Sequence, residues 1–337
     1  MKHQRGLSLI ELMIAILLGM ILLLGVVQLF LSSKNTYTTQ QGLSRVQETG
    51  RLAMQFIARD TRMAGYTGFR GRVSTISNTL SPITISNNYG AGMSVVNEAT
   101  LTAAGIAVNT GTVGIIIRGA LEGESSKLIE PATLGRFVVA LRSQETGGCP
   151  TSTNTTRYNG LCLDDNLIIA DYQKSIVFKP SKFEVSGANL IIEYLGSWGG
   201  NYLNYEEFFS KGAQVSAVHT HIYFIRTNPV GRPSLYRKVN GLAAEELFEG
   251  VSNINVSYNR YLTPNVYANA VGTLEGHWNN LANPIISINL EILVESDTDN
   301  IVEDNQIYSF GGQSVAATDK RLRKVFTSTI AMRNQIP

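Results

Sequence analysis

The sequence predicts an α+β fold, a long N-terminal helix laid against an antiparallel β-sheet, with a large β-rich insertion in the head. Three observations carry this. An apolar stretch opens the chain, a helical spacing of apolar residues continues it, and short strand-like segments fill the rest.

The apolar stretch runs from Leu7 to Leu31, and Glu11 is its one charged residue. From Leu12 to Leu31 a helix covers roughly 30 Å, the thickness of one hydrocarbon core. The h-region of a cleaved secretory signal is shorter, about 7–15 residues, and ends in small residues; this stretch does not. Lys2 and Arg5 precede it, so the short N-terminus stays cytoplasmic and the remainder crosses.

Beyond Leu31 the chain turns polar, and apolar residues return at Leu43, Val46, Ala53 and Ile57. That spacing is one face of a helix, with Arg45, Glu48, Arg51, Arg59 and Arg62 mostly on the solvated side. Gly65 is a stop signal. The helix is therefore expected over residues 7–64, about 85 Å long, with 7–31 in the membrane. Gly19, Gly25, Gly42 and Gly50 each weaken it by up to ~1 kcal/mol against Ala, and close packing is the reason expected for most of them.

The head, residues 65–337, divides into a variable insertion region, 65–205, and a C-terminal sheet, 206–337. Strands are expected at Thr112–Arg118, Arg136–Leu141, Leu167–Tyr172, Asn189–Leu195, Val218–Arg226, Ser234–Val239, Val251–Tyr258, Ile285–Val294 and Leu322–Met332. The last of these is apolar on alternating residues of both sets and is expected to pack on both faces. Ala243–Phe248 is expected to form a helical turn.

Charge and chemistry narrow the function. The formal net charge is +2 with a pI near 8.4, and no Lys/Arg run makes a stripe, so a nucleic-acid partner is not expected. No G-x-S-x-G, Walker A or H-E-x-x-H motif is present, and the chain is not read as an enzyme. Cys149 and Cys162, flanked by Gly, Pro, Ser and Thr, read as a loop staple in an oxidising compartment; two free thiols are the other reading. His219 and His221 share one strand face but lack a local third ligand, so they read as strand histidines rather than a metal pair. Asp297, Asp299, Glu303 and Asp304 crowd one loop with oxygen ligands that could hold calcium. They lack EF-hand spacing, and a solvated hairpin is the expected reading. No cofactor is expected otherwise.

Glu11 needs an explanation, because a carboxylate in a membrane helix costs on the order of 2.5–3.5 kcal/mol. An interfacial Glu favoured by the helix dipole is the plainest one. Its surroundings offer another. A cut after Gly6 frees the α-amine of Leu7, one helical turn from Glu11 in the same chain and within reach of the Glu11 of a neighbour. Such a pair at 4 Å attracts by about 4 kcal/mol at an effective dielectric of 20.

Gly6-Leu7-Ser8-Leu9-Ile10-Glu11-Leu12 resembles the class III signal of type IV prepilins and type II secretion pseudopilins, with Leu7 where Phe is commoner. The resemblance implies a pilin fold, a leader peptide at residues 1–6, cleavage between Gly6 and Leu7 by a prepilin peptidase, N-methylation of Leu7 and an assembly role for Glu11. In the C-terminal half, Tyr223-Phe224-Ile225-Arg226, Pro233-Ser234-Leu235-Tyr236-Arg237, Glu246-Leu247-Phe248-Glu249-Gly250-Val251 and Arg321-Leu322-Arg323-Lys324-Val325-Phe326-Thr327 resemble PilW-type minor pilins, as does Ala331-Met332-Arg333-Asn334. The stretch Arg70–Tyr205 has no counterpart in that resemblance.

The expected function is thus a minor pilin that primes a type IV pilus and sits at its tip. It would start in the inner membrane with a periplasmic head. Its partners would be other minor pilins, the major pilin, the prepilin peptidase and a tip adhesin. A J-type pseudopilin of type II secretion is the structural alternative. A signal-anchored periplasmic enzyme or an adhesin is the alternative from another class.

Overall fold

The fold is taken from a computed structural model, which describes residues 9–68, 75–121, 123, 125–149, 154–194 and 209–335. The expected leader 1–6 and Leu7 lie outside the described residues.

One helix, Leu9–Met63, dominates the molecule. At 1.5 Å per residue it is about 82 Å long. Its first half, through Leu31, keeps its large apolar side chains exposed, from Leu9 at 79% to Val27 at 45%. It is the one helix among the described residues that is long and apolar enough to cross a membrane. Its second half buries Gly42, Val46, Gly50, Ala53, Ile57, Ala58 and Thr61. Leu43 is not on that face; it is exposed, and Gly42 and Gly50 are there instead. Gly65 ends the helix at a φ of +71°, and its N–H donates to the carbonyl of Arg118.

The buried half rests on a four-stranded antiparallel sheet in the order Thr263–Asn269, Val251–Arg260, Ile285–Glu295, Arg323–Ala331. The last strand does not pack on both faces. Ile330 is buried and Phe326 half-buried against the helix side, while Thr327, Thr329 and Ala331 are exposed at the sheet's edge.

A larger sheet is built around the 14-residue strand Gln214–Thr227. Its C-terminal part pairs with Val113–Ala120 and Pro233–Val239, and the latter with Glu245–Glu249. Its first residues, Gln214–Ala217, pair with Leu167–Ala170, and Gln214 and Val215 also with Ser126–Lys127. Met93–Asn97 adds to Val113–Ala120, so the earlier part of the 65–205 region shares a sheet with the later half of the chain. The segment 243–248, expected as a helical turn, is instead mostly strand. Glu-Glu-Leu-Phe-Glu suits a helix by intrinsic propensity. Here pairing with Pro233–Val239 and the packing of Phe248 on Phe56, rings 5.3 Å apart, override it.

Two main cores result. The first joins the helix to both sheets through Ile57, Ile115, Tyr223, Ile254, Leu290 and Trp278. The second is built within residues 128–217, around Phe137, Phe178, Leu190, Ile192 and Val215. Its position follows from the register of the long strand. Tyr223 lies beside Asp60. The carbonyls of Met63 and Tyr66 come close to Gly119, which pairs with His219, and Gly68 sits against Ser216. Moving from Tyr223 toward Gln214 therefore follows the helix to its end and past it. The second core is an apical unit beyond the C-terminus of the helix.

Candidate functional site

The helix seam brings together the elements that the sequence singled out. Arg45 on the helix pairs with Asp297, and the Thr39 hydroxyl donates to the Ile301 carbonyl. Around this contact a charged lattice closes the seam. Arg232 bonds Glu249 at 2.7 Å, Arg323 bonds Glu295 at 3.0 Å, and Arg321 donates to the carbonyls of Ser296 and Asp297. The Arg323 guanidinium also holds the Asp319 carboxyl down, at about 2. A cavity of about 320 Å³ lies between the helix at Val46 and Leu52 and the strands at Leu247, Phe248 and Glu295.

Glycines make the close approach possible. A Cβ at Gly50 would lie 2.1 Å from the Phe326 ring, and one at Gly42 3.3 Å from Ile301. Gly19 and Gly25 face open space, so packing within the chain accounts for the first pair and not for the second. At Gly250 the φ is +87° and a Cβ would meet the Glu295 carbonyl at 2.8 Å.

Further along the helix sits a polar cluster. The Asp60 carboxylate accepts from the Tyr223 hydroxyl at 2.5 Å and bonds His221. His219 lies against His221, with ring centres 4.5 Å apart and the rings tilted by 47°. Burial raises the Asp60 carboxyl, but the bonds from His221 and Tyr223 and the nearby imidazoles outweigh it and hold it below its usual value. Burial, then the neighbouring His221, pushes His219 down to about 4. Burial and Asp60 push the Tyr223 hydroxyl up. The two histidines do share a face, as expected, and it is turned to a helix carboxylate. Asp60 itself escaped sequence reasoning. Its signal was a charge three residues past Ile57, on the apolar stripe.

The calcium candidates do not converge. Asp297 is taken by Arg45, and Asp299 accepts backbone N–H bonds from Asn300 and Lys320, while Glu303 and Asp304 are exposed. Among the described residues no three His, Cys, Asp or Glu side chains gather closely enough to hold a metal. Cys149 and Cys162 are joined in a disulfide, their Cα atoms 5.8 Å apart, on the apical unit. Glu11 lies exposed in the first turn of the helix, and Gly6 and Leu7 lie outside the described residues.

A family model described as the prokaryotic N-terminal methylation motif matches residues 1–27, and one for the type IV pilus-assembly protein PilW matches residues 222–334. These two matches support a PilW-type type IV pilin. Residues 28–221 lie outside both. No curated protein and no solved structure matches the chain.

The PilW-matched region coincides with the seam. Within it, Phe224 stacks on Tyr236 and the Arg226 guanidinium covers the Tyr236 ring at 4.0 Å. Arg237 pairs with Glu245 at 2.6 Å. After the last strand, the Asn334 amide donates to the carbonyl of Ala64 and closes the end of the helix. The matched family is one of structural pilus-assembly proteins rather than a known enzyme family.

Proposed function

We propose that this PilW-type pilin is a minor pilin that primes a type IV pilus and occupies its tip. The observation that carries the reading is the apical core, stacked beyond the C-terminal end of a helix whose first half is bare apolar surface. When such helices bundle side by side, each head meets the subunit above it. An extra core built on the apex is accommodated where no subunit follows.

On this reading the chain is cut after Gly6, Leu7 is N-methylated, and the new α-amine meets the Glu11 carboxylate of a neighbouring subunit. That contact sets the axial register while the apolar faces of the helices pack. The head is periplasmic before assembly. Other minor pilins and the major pilin are its partners, the prepilin peptidase processes it, and the apical unit is placed to carry a tip adhesin.

N-terminal analysis of the mature protein, with a Glu11→Ala strain and immunogold labelling of the head, tests this. The expected result is a methylated Leu7 terminus, label confined to filament ends, and loss of pili and twitching in the variant. A chain starting at Met1 would sink the processing step. Label along the shaft would overturn the tip assignment, and normal piliation in the Glu11→Ala strain would overturn the assembly role.

A further inference from the structure

A cleft opens on the face of the larger sheet turned away from the helix. Along Gln214–Thr227, Tyr223 and Ile225 face the helix-side core, and Ile222 and Phe224 face the other side. Val218 has the parity of the second set and lines the cleft, which measures about 760 Å³. That lies within the roughly 300–1,000 Å³ of small-molecule sites. Its walls come from three places in the chain: the loop at 84–89, the disulfide-bonded segment around Cys149 and Cys162, and the turn at 240–242. It lies at the junction between the apical core and the pilin-like head.

Most of the lining side chains are polar, and the charged ones sum to zero. Arg157 and Lys238 are matched by Asp164 and Asp165, and Asn87, Asn166 and Asn240 stand among them with neutral donors and acceptors. A phosphate or polyanion would meet as many carboxylates as cations. A lipid tail would find two aliphatic side chains among the described lining residues, Val218 and Leu242. A sugar fits better, because each hydroxyl both donates and accepts. Tyr89 is 6% exposed and its hydroxyl contacts Thr220, so it stiffens the floor rather than offering a stacking face.

We propose that this cleft is a binding site for an uncharged oligosaccharide, held by hydrogen bonds and walled on one side by the Cys149–Cys162 disulfide. It would give the apical unit an adhesive function separate from filament assembly, and it stands independently of the tip assignment.

The test uses the full chain in a sugar-free zwitterionic detergent, titrated with maltotetraose, cellotetraose and the N-acetylglucosamine tetramer by calorimetry. At least one should bind with a Kd of about 1 mM or tighter. Lys238→Ala at the rim and Arg157→Gln at the wall should each weaken that binding by about tenfold or more. Lys211→Ala, exposed and outside the cleft, should leave it unchanged. No binding of any tetrasaccharide would overturn the proposal. So would binding that neither cleft variant alters, or selective binding of an uncharged peptide such as capped tetra-alanine in place of the sugars.

Discussion

Gly50 on the helix lies beneath the ring of Phe326 on the last strand, with room for a hydrogen and none for a methyl group: an added Cβ would come within 2.1 Å of the ring edge. The contact brings the helix backbone close to the sheet, and Phe326 belongs to the PilW-matched region. Gly50→Ala removes the helix-propensity cost of glycine, about 1 kcal/mol. It nevertheless forces the ring or the helix to move, and overpacking of this kind costs about 1–3 kcal/mol. The expected outcome is a net loss of stability in urea unfolding, recovered when Phe326→Leu is added. Gly19→Ala, which faces open space, should cost nothing in the same assay.

The cluster of Asp60, His219, His221 and Tyr223, with Arg237 beside Tyr223, gives the helix–head contact a pH dependence. His219 titrates at about 4 when folded and at about 6.5 when unfolded. Between those values the unfolded chain binds a proton that the folded chain refuses, so stability falls as pH falls. The loss from this residue is on the order of 3 kcal/mol and is complete below pH ~4. The lowered Asp60 carboxyl adds a further loss below its own unfolded value. Unfolding midpoints measured from pH 7 to 4 should decline in the parent chain, and His219→Gln should flatten the upper part of that decline. An unchanged slope in the variant would refute the assignment.

Much of this architecture was legible from local pattern. The apolar run, the helical spacing at Val46, Ala53 and Ile57, and all nine expected strands appear within a few residues of where periodicity placed them. What escaped depends on tertiary pairing. Glu245–Glu249 looks helical until Pro233–Val239 supplies a ladder. Lys174–Phe178 is too short for a period to register, yet it pairs on both edges, with Leu167–Ala170 and in parallel with Thr75–Asn78. The site residues divide the same way. The disulfide and the shared face of His219 and His221 were visible in spacing. The partner of those histidines, Asp60, lies 161 residues away from His221, and the three walls of the apical cleft come from segments far apart in the chain.

Arg118 is the buried cation of the larger sheet, 1% exposed. It donates to the carbonyls of Ile85 and Ala91 and to the Ser94 hydroxyl, which in turn donates to Glu275. Burial lowers its pKa to about 10, so it stays charged at neutral pH. Arg118→Met keeps most of the volume but strips the charge that balances Glu275 and the donors that hold the 85–94 segment. Removing one member of a buried charged network costs about 3–5 kcal/mol. The variant should unfold at lower urea, and hydrogen exchange should speed up first in residues 85–94.

The Cys149–Cys162 disulfide lies on the apical unit, away from the helix seam, and this sets what its loss should do. Its closed loop spans a sequence separation of 13, for which chain entropy gives about 3 kcal/mol of stabilisation. The Cys162 N–H also donates to the Asp165 carboxylate, so the bridge is tied to the segment that carries Asp164, Asp165 and Asn166. Cys149→Ser with Cys162→Ser should therefore loosen the apical core while the seam, held by Arg45–Asp297 and Gly50–Phe326, stays closed. Limited proteolysis should cut the double variant first between residues 142 and 166. Protection of the helix through residue 63 should match the parent chain. Equal loss of protection along the helix would show that the two cores unfold as one unit and that the apical staple supports the whole head.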